Sequence, residues 1–203
     1  GAAVARQLTV GTAIREGRVA ATVVEGADSS PAAQFFDAEV MDELDGAYGA
    51  VGRGVDVRHS PQIEVPFGRG VGNQGFAYED ALASGMSAEN RLPPNFKTFD
   101  FFDEGQRHAT SAKTLDTTTP SRVNNPQRVF STLRGNINAA SNFDIYERGP
   151  TRLTSADIGL REVRVGVPME TTAEQWTEIM RAIRYGEQQG VRLAPEVVTN
   201  SAR

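Results

Sequence analysis

Apolar residues recur every three or four positions in four segments of the chain, which is the spacing that places them on one face of a helix. The predicted helices are 32–48, 75–85, 124–143 and 171–185. Asn124 followed by Pro126 is a typical helix start. Thr171 and Glu174 form a predicted capping box for the last helix, which would bury Trp176.

Other segments have the apolar and β-branched character of strands. They are 95–102, 107–115, 160–167 and 191–198. The first is apolar on both faces, which indicates a buried strand, and residues 103–106 predict a hairpin turn into the second. Pro195 predicts that the last strand lies at a sheet edge, because proline donates no ladder hydrogen bond. Strands alternating with helices predict an α/β fold, with a mixed sheet flanked by helices.

Glycine and proline accumulate between residues 46 and 75, which indicates a linker. The charge changes across it. Residues 1–67 hold 5 basic and 10 acidic side chains, whereas residues 68–203 hold 16 of each. We therefore predict two parts, an acidic N-terminal segment at 1–66 and a larger domain at 67–203.

The composition narrows the chemistry. At 203 residues and 39% apolar, the chain can fill one sizeable core, and its lack of cysteine excludes disulfides and thiolate metal sites. A metal would therefore be a hard cation such as Mg²⁺. No apolar run is long enough to span a bilayer, and no signal peptide is evident. Residues 107–164 carry 9 basic and 5 acidic groups, a modest patch for a polyanion.

Lysine is rare in this chain, since only two of the 21 basic residues are lysines. They are Lys97 and Lys113, and both lie between residues 95 and 116. Arginine stays protonated, whereas the pKa of a lysine ammonium moves readily with its surroundings. We infer that position 113 requires lysine chemistry.

Strand geometry brings candidate groups toward Lys113. Ser111 lies on the same face of its strand, because side chains alternate with a period of two. The hairpin would bring Asp100 within reach of that face, and Glu79 could approach from the preceding helix. Two carboxylates, a hydroxyl and an amine around one point predict a divalent-metal site held by Glu79 and Asp100. Its chemistry would be phosphodiester hydrolysis, with Lys113 positioning or deprotonating water.

Several neighbouring residues have two interpretations. Asp103 could be the metal ligand in place of Asp100. Asp116 and Thr114 could contact the metal ligands without binding the metal themselves, or Asp116 could simply begin the next turn. His108 falls on the opposite face from Ser111, which argues against a role as general acid. Four basic residues are candidates for nucleic-acid contacts, against the alternative of a solvated surface: Lys97, Arg122, Arg128 and Arg134.

Five segments together resemble a known family. They are QGFAYEDALA, NFKTFDFFD, ATSAKTLDT, NNPQRVFSTLRGNI and VRVGVPMETTAEQW. They are similar to the C-terminal toxin domains of CdiA contact-dependent growth inhibition (CDI) proteins, with the Burkholderia-type tRNases as the nearest likeness. That family has a PD-(D/E)XK nuclease-like core. The resemblance covers roughly residues 73–198.

The resemblance implies specific roles. Glu79, Asp100, Ser111 and Lys113 match the catalytic motif, although Ser111 stands where the wider superfamily has a carboxylate. The implied cofactor is a divalent metal, Mg²⁺ with Mn²⁺ and Zn²⁺ as alternatives. Residues 1–66 would be a delivery segment that uses an inner-membrane receptor. The toxin would form the C-terminus of a cell-surface CdiA-type protein, cleave tRNA in the target-cell cytoplasm without stable membrane insertion, and be neutralised by an immunity protein.

Two other functions remain open at this point. A metal-dependent DNase toxin of the same fold would need the same metal cluster. A non-catalytic binding module, with the acidic front part docking a receptor, would need none of it. The fate of activity in a Lys113→Ala variant separates catalysis from binding.

Overall fold

A computed structural model of the protein describes residues 6–9, 14–15, 18–19, 22–24 and 56–202. The helix predicted at 32–48 lies outside these residues. Within them, no helix is both long enough and apolar enough to cross a membrane.

A seven-stranded sheet is the centre of the fold. Its strands are β1 Arg6–Thr9, β4 Thr22–Val24, β5 Asp56–Val65, β6 Phe101–Asp103, β7 His108–Thr114, β10 Leu160–Pro168 and β11 Arg192–Asn200. They lie in the order β4, β1, β5, β11, β10, β7, β6. The four strands β5, β11, β10 and β7 run parallel, whereas β6, β1 and β4 are antiparallel to their neighbours. The expected mixed sheet flanked by helices is confirmed.

Two small ribbons lie outside this sheet. They pair β2 (Ile14–Arg15) with β3 (Arg18–Val19), and β8 (Ile145–Arg148) with β9 (Thr151–Thr154). The second ribbon is not among the predicted strands, because its residues are mostly polar or half-exposed and give no strong alternation.

Helices cover both faces of the sheet. They are α1 Val71–Ala83, α2 Pro120–Asn124, α3 Gln127–Ser141 and α4 Ala173–Gln188. The main core includes α3, α4 and the central valines, and Trp176 is buried in it as predicted. A second cluster joins Tyr78 and Leu82 of α1 to Phe101 of β6. Two cores back to back are what a sheet with helices on both faces requires.

Helix α1 approaches the sheet closely at Gly166. A Cβ atom placed on Gly166 would lie 3.1 Å from the ring of Tyr78, which is fully buried. Any larger residue at this position would press on that ring, so glycine permits the short distance between helix and sheet.

Several boundaries differ from the prediction. Strand β6 begins only at Phe101, because Asn95 and Thr98 adopt positive φ angles of 60° and 73° and end any extended run there. The helix predicted at 124–143 is α3, which begins only at Gln127 and ends at Ser141, and the short helix α2 before it was not predicted. The capping box of α4 is formed by Thr172 and Gln175, one residue later than expected.

Two predictions about the sheet are wrong. Strand β5 lies inside the stretch interpreted as a linker, and it pairs with β11. Strand β11 is not at an edge, since β10 and β5 flank it. Proline is tolerated there because pairing with β5 begins only at Glu196, which leaves Pro195 with a paired neighbour on one side. The division at residues 66 and 67 stays a prediction.

Candidate active site

The backbone and the side chain of Asp100 both form hydrogen bonds with β7, at the edge of that strand. The backbone N–H of Asp100 donates to the carbonyl of Thr110 at 2.9 Å, as in a regular ladder. Its Oδ2 then accepts the N–H of Ala112 at 2.7 Å. The chain before Asp100 has turned away from the sheet, so the side chain satisfies an N–H that a longer β6 would have bonded. The other oxygen, Oδ1, takes no part in this bond.

A tight turn and two aromatic residues hold Asp100 in place. The Phe99 N–H donates to the carbonyl of Lys97 at 2.9 Å, with Thr98 at φ 73° between them. This is a γ-turn with positive φ, a strained conformation for a β-branched residue. Phe99 is buried in the main core and Phe101 in the second cluster. Because these anchors lie on either side of it, Asp100 has little freedom to move.

The carboxyl of Asp100 is partly buried among charges of both signs. Burial raises the pKa of its carboxyl to about 6, and the negative charge of Glu79 adds to the increase. The positive charge of Lys113 and the N–H of Ala112 oppose it. Asp100 therefore lies within electrostatic reach of both groups that the sequence placed beside it. A carboxyl in such a position gains stability when a cation approaches.

Glu79 approaches Asp100 from α1 but is engaged by an arginine. The Nη2 atom of Arg91 lies 3.0 Å from Glu79 Oε1 and 2.7 Å from Asp80 Oδ1. The hydrogen bonds to Asp80 and then Glu79 raise the pKa of Arg91 above its ordinary value. No sequence pattern indicates a role for Arg91, because its contact depends on a short 3-10 turn at Ala88–Asn90 that returns the chain to α1.

Ser111 and Lys113 project from the face of β7 opposite α1. Ala112, between them, packs against the α1 cluster, and side chains alternate along a strand. Their partners in β10, Val163 and Val165, belong to the main core. Ser111 is buried, whereas Lys113 is half-buried. Asp100 sits at the strand edge, where groups from both faces can reach it.

The donor set fits a hydrated divalent cation better than a closed metal cage. In the part of the chain that the structure describes, no three His, Cys, Asp or Glu side chains lie together as ligands. The site offers two carboxylates, Asp100 and Glu79, and Mg²⁺ is commonly held in proteins by one or two carboxylates, with waters and substrate phosphates completing its shell. The two residues named as metal ligands are therefore compatible with that ion.

The alternative ligand Asp103 lies at the other end of the hairpin. Its Oδ1 accepts the N–H of Gln106 at 2.9 Å, so it caps the turn. Asp116 begins a turn as well. Its Oδ1 accepts hydrogen bonds from Thr118, from the backbone N–H at 2.9 Å and from the side-chain hydroxyl at 2.6 Å. Thr114 is half-buried beside Gly166. This arrangement favours Asp100 over Asp103 as a ligand.

Two of the four candidate nucleic-acid contacts share a notch. Its cavity of about 410 Å³ is lined by Ser121, Arg122, Arg128, Ser131 and Thr132. Nη1 of Arg122 donates to the carbonyl of Asp116 at 2.8 Å, three residues beyond Lys113.

The other two candidates lie apart from this notch. Arg134 lies 5.8 Å from the ring centroid of Phe130. Lys97 is exposed in the γ-turn. The notch thus combines two guanidiniums with three hydroxyls close to the chain segment that carries Lys113.

Comparisons with known proteins identify relatives of the domain that carries these residues. A family model described as "CDI toxin restriction endonuclease-like domain" matches residues 74–196. The chain is 41% identical over 135 residues to the deoxyribonuclease CdiA-o11 of Escherichia coli O157:H7 (strain EC869). The aligned region covers 66% of this chain and 36% of that relative. It is also 40% identical over 131 residues to the deoxyribonuclease CdiA of Yersinia pseudotuberculosis serotype O:3 (strain YPIII), in an alignment that covers 64% of this chain and 12% of that relative.

Among solved structures, the chain is similar to the CdiA-CT/CdiI toxin and immunity complex from Yersinia pseudotuberculosis, with a TM-score of 0.56 and 41% identity. The match covers 60% of this chain and 98% of that chain. The chain spans well under half the length of the two curated relatives.

These findings correct the expected substrate. Both relatives are named deoxyribonucleases, so the likeness to Burkholderia-type tRNases, and tRNA cleavage with it, is wrong. The expected metal site at Glu79, Asp100 and Lys113 does not distinguish the two substrates, because DNA and RNA share the phosphate on which such a site would act. The resemblance to CdiA toxin domains itself is confirmed. Since the matched residues 74–196 make up more than half of its length, the chain belongs to the CDI toxin restriction endonuclease-like domain family.

Proposed function

We propose that this chain is a metal-dependent deoxyribonuclease toxin of a contact-dependent growth inhibition system. The observation that carries the proposal is the position of Asp100 at the edge of β7, where the charges of both Glu79 and Lys113 act on the pKa of its carboxyl. The names of the two relatives supply the choice of DNA. A restriction endonuclease-like fold with this pair of carboxylates supports metal dependence.

Each site residue has a distinct role in this proposal. Glu79 and Asp100 hold the divalent ion, which would stabilise negative charge on the phosphate and help to ionise water. Asp100 stays in place because its backbone and side chain are both bonded to β7. Lys113 orients the attacking water and offsets charge on the phosphate. Ser111 lies two residues before Lys113 on the same face of β7 and helps to position the Lys113 side chain.

The basic notch would hold the DNA backbone beside the cleavage point. Arg122 is already oriented by its bond to the carbonyl of Asp116, so its remaining N–H groups are directed without further ordering. Arginine binds phosphate through paired N–H donors. The hydroxyl of Ser121 lines the same cavity as Arg128 and would add a neutral donor, whereas that of Ser131 already donates to the carbonyl of Gln127 at 3.3 Å. Contacts of this kind position DNA without reading its sequence.

The setting of the toxin follows from its relatives. The solved Yersinia neighbour is a toxin and immunity complex, so we propose a cognate immunity protein for this chain. The relatives are CdiA proteins, so we place this chain in the C-terminal part of such a protein, acting in the target-cell cytoplasm. Residues 1–66 remain the proposed delivery segment with an inner-membrane receptor.

Incubation of the purified protein with plasmid DNA tests the proposal. We expect cleavage with Mg²⁺ or Mn²⁺, none with a chelator, and little cleavage of total tRNA under the same conditions. Zn²⁺ is included as a third metal. Lys113→Ala should reduce the rate by about a thousandfold or more, because it removes charge stabilisation at the phosphate.

Two controls make the result interpretable. Arg184→Gln removes a positive charge from the exposed face of α4 and should cleave normally. Thermal unfolding of Lys113→Ala should match the wild type, since Lys113 is only half-buried. Cleavage that persists in the chelator, or that is unchanged in Lys113→Ala, would overturn the proposal.

A further inference from the structure

Arg91 is held beside the proposed metal ligands by its backbone. It forms an isolated antiparallel bridge with Phe101, and the next residue, Leu92, donates its N–H to the carbonyl of Asp100 at 2.9 Å. Its side chain therefore starts next to Asp100 and reaches the end of α1. The Arg91 side chain is 40% exposed, so solvent can reach it.

The guanidinium bridges two carboxylates of unequal character. Glu79 has a side chain only 23% exposed, whereas that of Asp80 is 66% exposed. One nitrogen, Nη2, contacts both, with the shorter distance to Asp80. Arg91 could therefore release Glu79 while it stays bound to Asp80 on the solvent side.

The charges around Asp100 explain why Arg91 occupies this place. Glu79 and Asp100 repel each other, and Arg91 and Lys113 both favour the ionised form of Asp100. Two monovalent cations thus balance the carboxylates. A divalent ion between Glu79 and Asp100 would supply that balance itself, and it would repel the nearby guanidinium. Exposed ion pairs contribute little to stability, so the bond from Arg91 to Glu79 is easily displaced.

We propose that Arg91 is a positioning residue that occupies Glu79 when the metal is absent and is displaced toward Asp80 when the divalent ion binds. The inference rests on the proposed metal-dependent function and extends it to a residue outside the metal ligands. In the displaced position the guanidinium would face the phosphate that enters beside the ion. Arg91 therefore weakens metal binding in the free protein and strengthens the hold on DNA in the loaded one.

Titration with Mn²⁺ in the absence of DNA tests this directly. Electron paramagnetic resonance of free Mn²⁺ gives the dissociation constant for wild type, Arg91→Gln and Arg91→Lys. We expect Arg91→Gln to bind Mn²⁺ roughly threefold to tenfold more tightly, because the competing cation is gone. Arg91→Lys keeps a competing cation and should bind nearly as the wild type does. Arg184→Gln controls for the general loss of a positive charge and should not change the constant.

Plasmid cleavage by the same variants supplies the second readout. Arg91→Gln should bind Mn²⁺ more tightly and yet have a higher KM for DNA than the wild type. If Arg91→Gln binds Mn²⁺ equally or more weakly while the wild type binds it, or if Arg184→Gln tightens binding as much, the role of Arg91 is refuted and the proposed function stands. If the wild type binds no Mn²⁺, the metal-dependent function itself fails, and this inference fails with it.

Discussion

Two groups of carboxylates and cations lie on this sheet, and they are built in opposite ways. In the buried group, Glu196 accepts from Arg164 at 2.7 Å, from Tyr78 at 2.7 Å and from Ser60 at 2.6 Å, so both of its oxygens are bonded. In the candidate active site, Asp100 has one backbone donor, and Glu79 is engaged by an exposed arginine.

The pKa values show the consequence of this difference. Burial alone would raise the pKa of Glu196, but Arg164 and the hydrogen bonds from Ser60 and Tyr78 lower it below its ordinary value. Burial raises the pKa of Asp100 to about 6, because its partners compensate only in part. The carboxylate of Glu196 has partners on both oxygens within the protein, whereas the carboxylate of Asp100 is only partly compensated and is suited to receive a cation from outside.

The largest effect should come from breaking the buried group. Glu196→Ala leaves Arg164 without its carboxylate in the core, and we expect a loss of about 3 to 5 kcal/mol in the free energy of unfolding. Glu79→Ala, the matched change in the active site, removes an exposed pair and should cost about 1 kcal/mol or less. Urea unfolding measures both. Equal losses would mean that the two groups do not differ as described.

A pH series sharpens the comparison through Asp100. Its pKa is raised from 3.8 to about 6, so its contribution to stability is fully present below 3.8 and is lost as the pH rises through about 6. Relative to Asp100→Asn, the metal-free wild type should lose about 2 to 3 kcal/mol across this window. Urea unfolding in a chelator measures the difference, and Mg²⁺ should reduce it. A pH-independent difference between the two proteins would contradict the raised pKa.

Glu196 should titrate with the opposite sign. Its pKa is lowered below 4.5, so its contribution is present above that value and is lost as the pH falls through the lowered pKa. The two carboxylates therefore act in adjacent pH ranges and can be distinguished in one experiment.

The basic notch extends the comparison to arginines that would bind an external partner, in this case DNA phosphate, through Arg122 and Arg128. Arg122→Gln with Arg128→Gln, in a Lys113→Ala background that leaves DNA intact, should weaken DNA binding by about tenfold. The slope of log affinity against log salt should fall by about 0.9 for each lost phosphate contact. Fluorescence anisotropy at several salt concentrations gives the slope. Arg134→Gln, beside Phe130 and outside the notch, should leave it unchanged.

The smallest expected effect concerns the turn before Asp100. Thr98→Gly relieves a positive φ angle and should stabilise the protein by about 1 kcal/mol, after the entropic cost of glycine. DNA cleavage should nevertheless fall, because Asp100 is held less firmly. Asn95→Gly is the control, since asparagine tolerates positive φ and gains less. A Thr98→Gly protein with unchanged stability would mean that the turn is not strained.

The sequence predicts the main elements well where periodicity and burial agree. Helices α3 and α4 and the apolar strand β10 lie within a few residues of their predicted bounds. It fails where the backbone conformation decides the outcome. The apolar residues 95–102 suggest a strand, but positive φ at Asn95 and Thr98 leaves only the last part extended. Strand β5 was missed because Arg58 and Ser60 are polar side chains in a buried ion network that only the assembled sheet provides.

The arrangement of the candidate site is predictable only in part. Period-two alternation and a hairpin turn place Lys113 within electrostatic reach of Asp100. They do not place Lys113 on the same face of β7 as α1, because Ala112 occupies that face. Arg91 was not predictable, because its approach to Glu79 depends on a turn and a single bridge that have no sequence signature. The preference for Asp100 over Asp103 likewise comes from which carboxylate bonds to the neighbouring strand.

The close contact between Tyr78 and Gly166 links the architecture to the chemistry. Glu79 follows Tyr78 directly, so the reach of its carboxylate toward Asp100 is set by how near the helix lies to the sheet. A single methyl group at position 166 would act as a spacer under the aromatic ring and tilt the helix outward. The separation of two proposed ligands is thus controlled by a residue that has no side chain and touches neither of them.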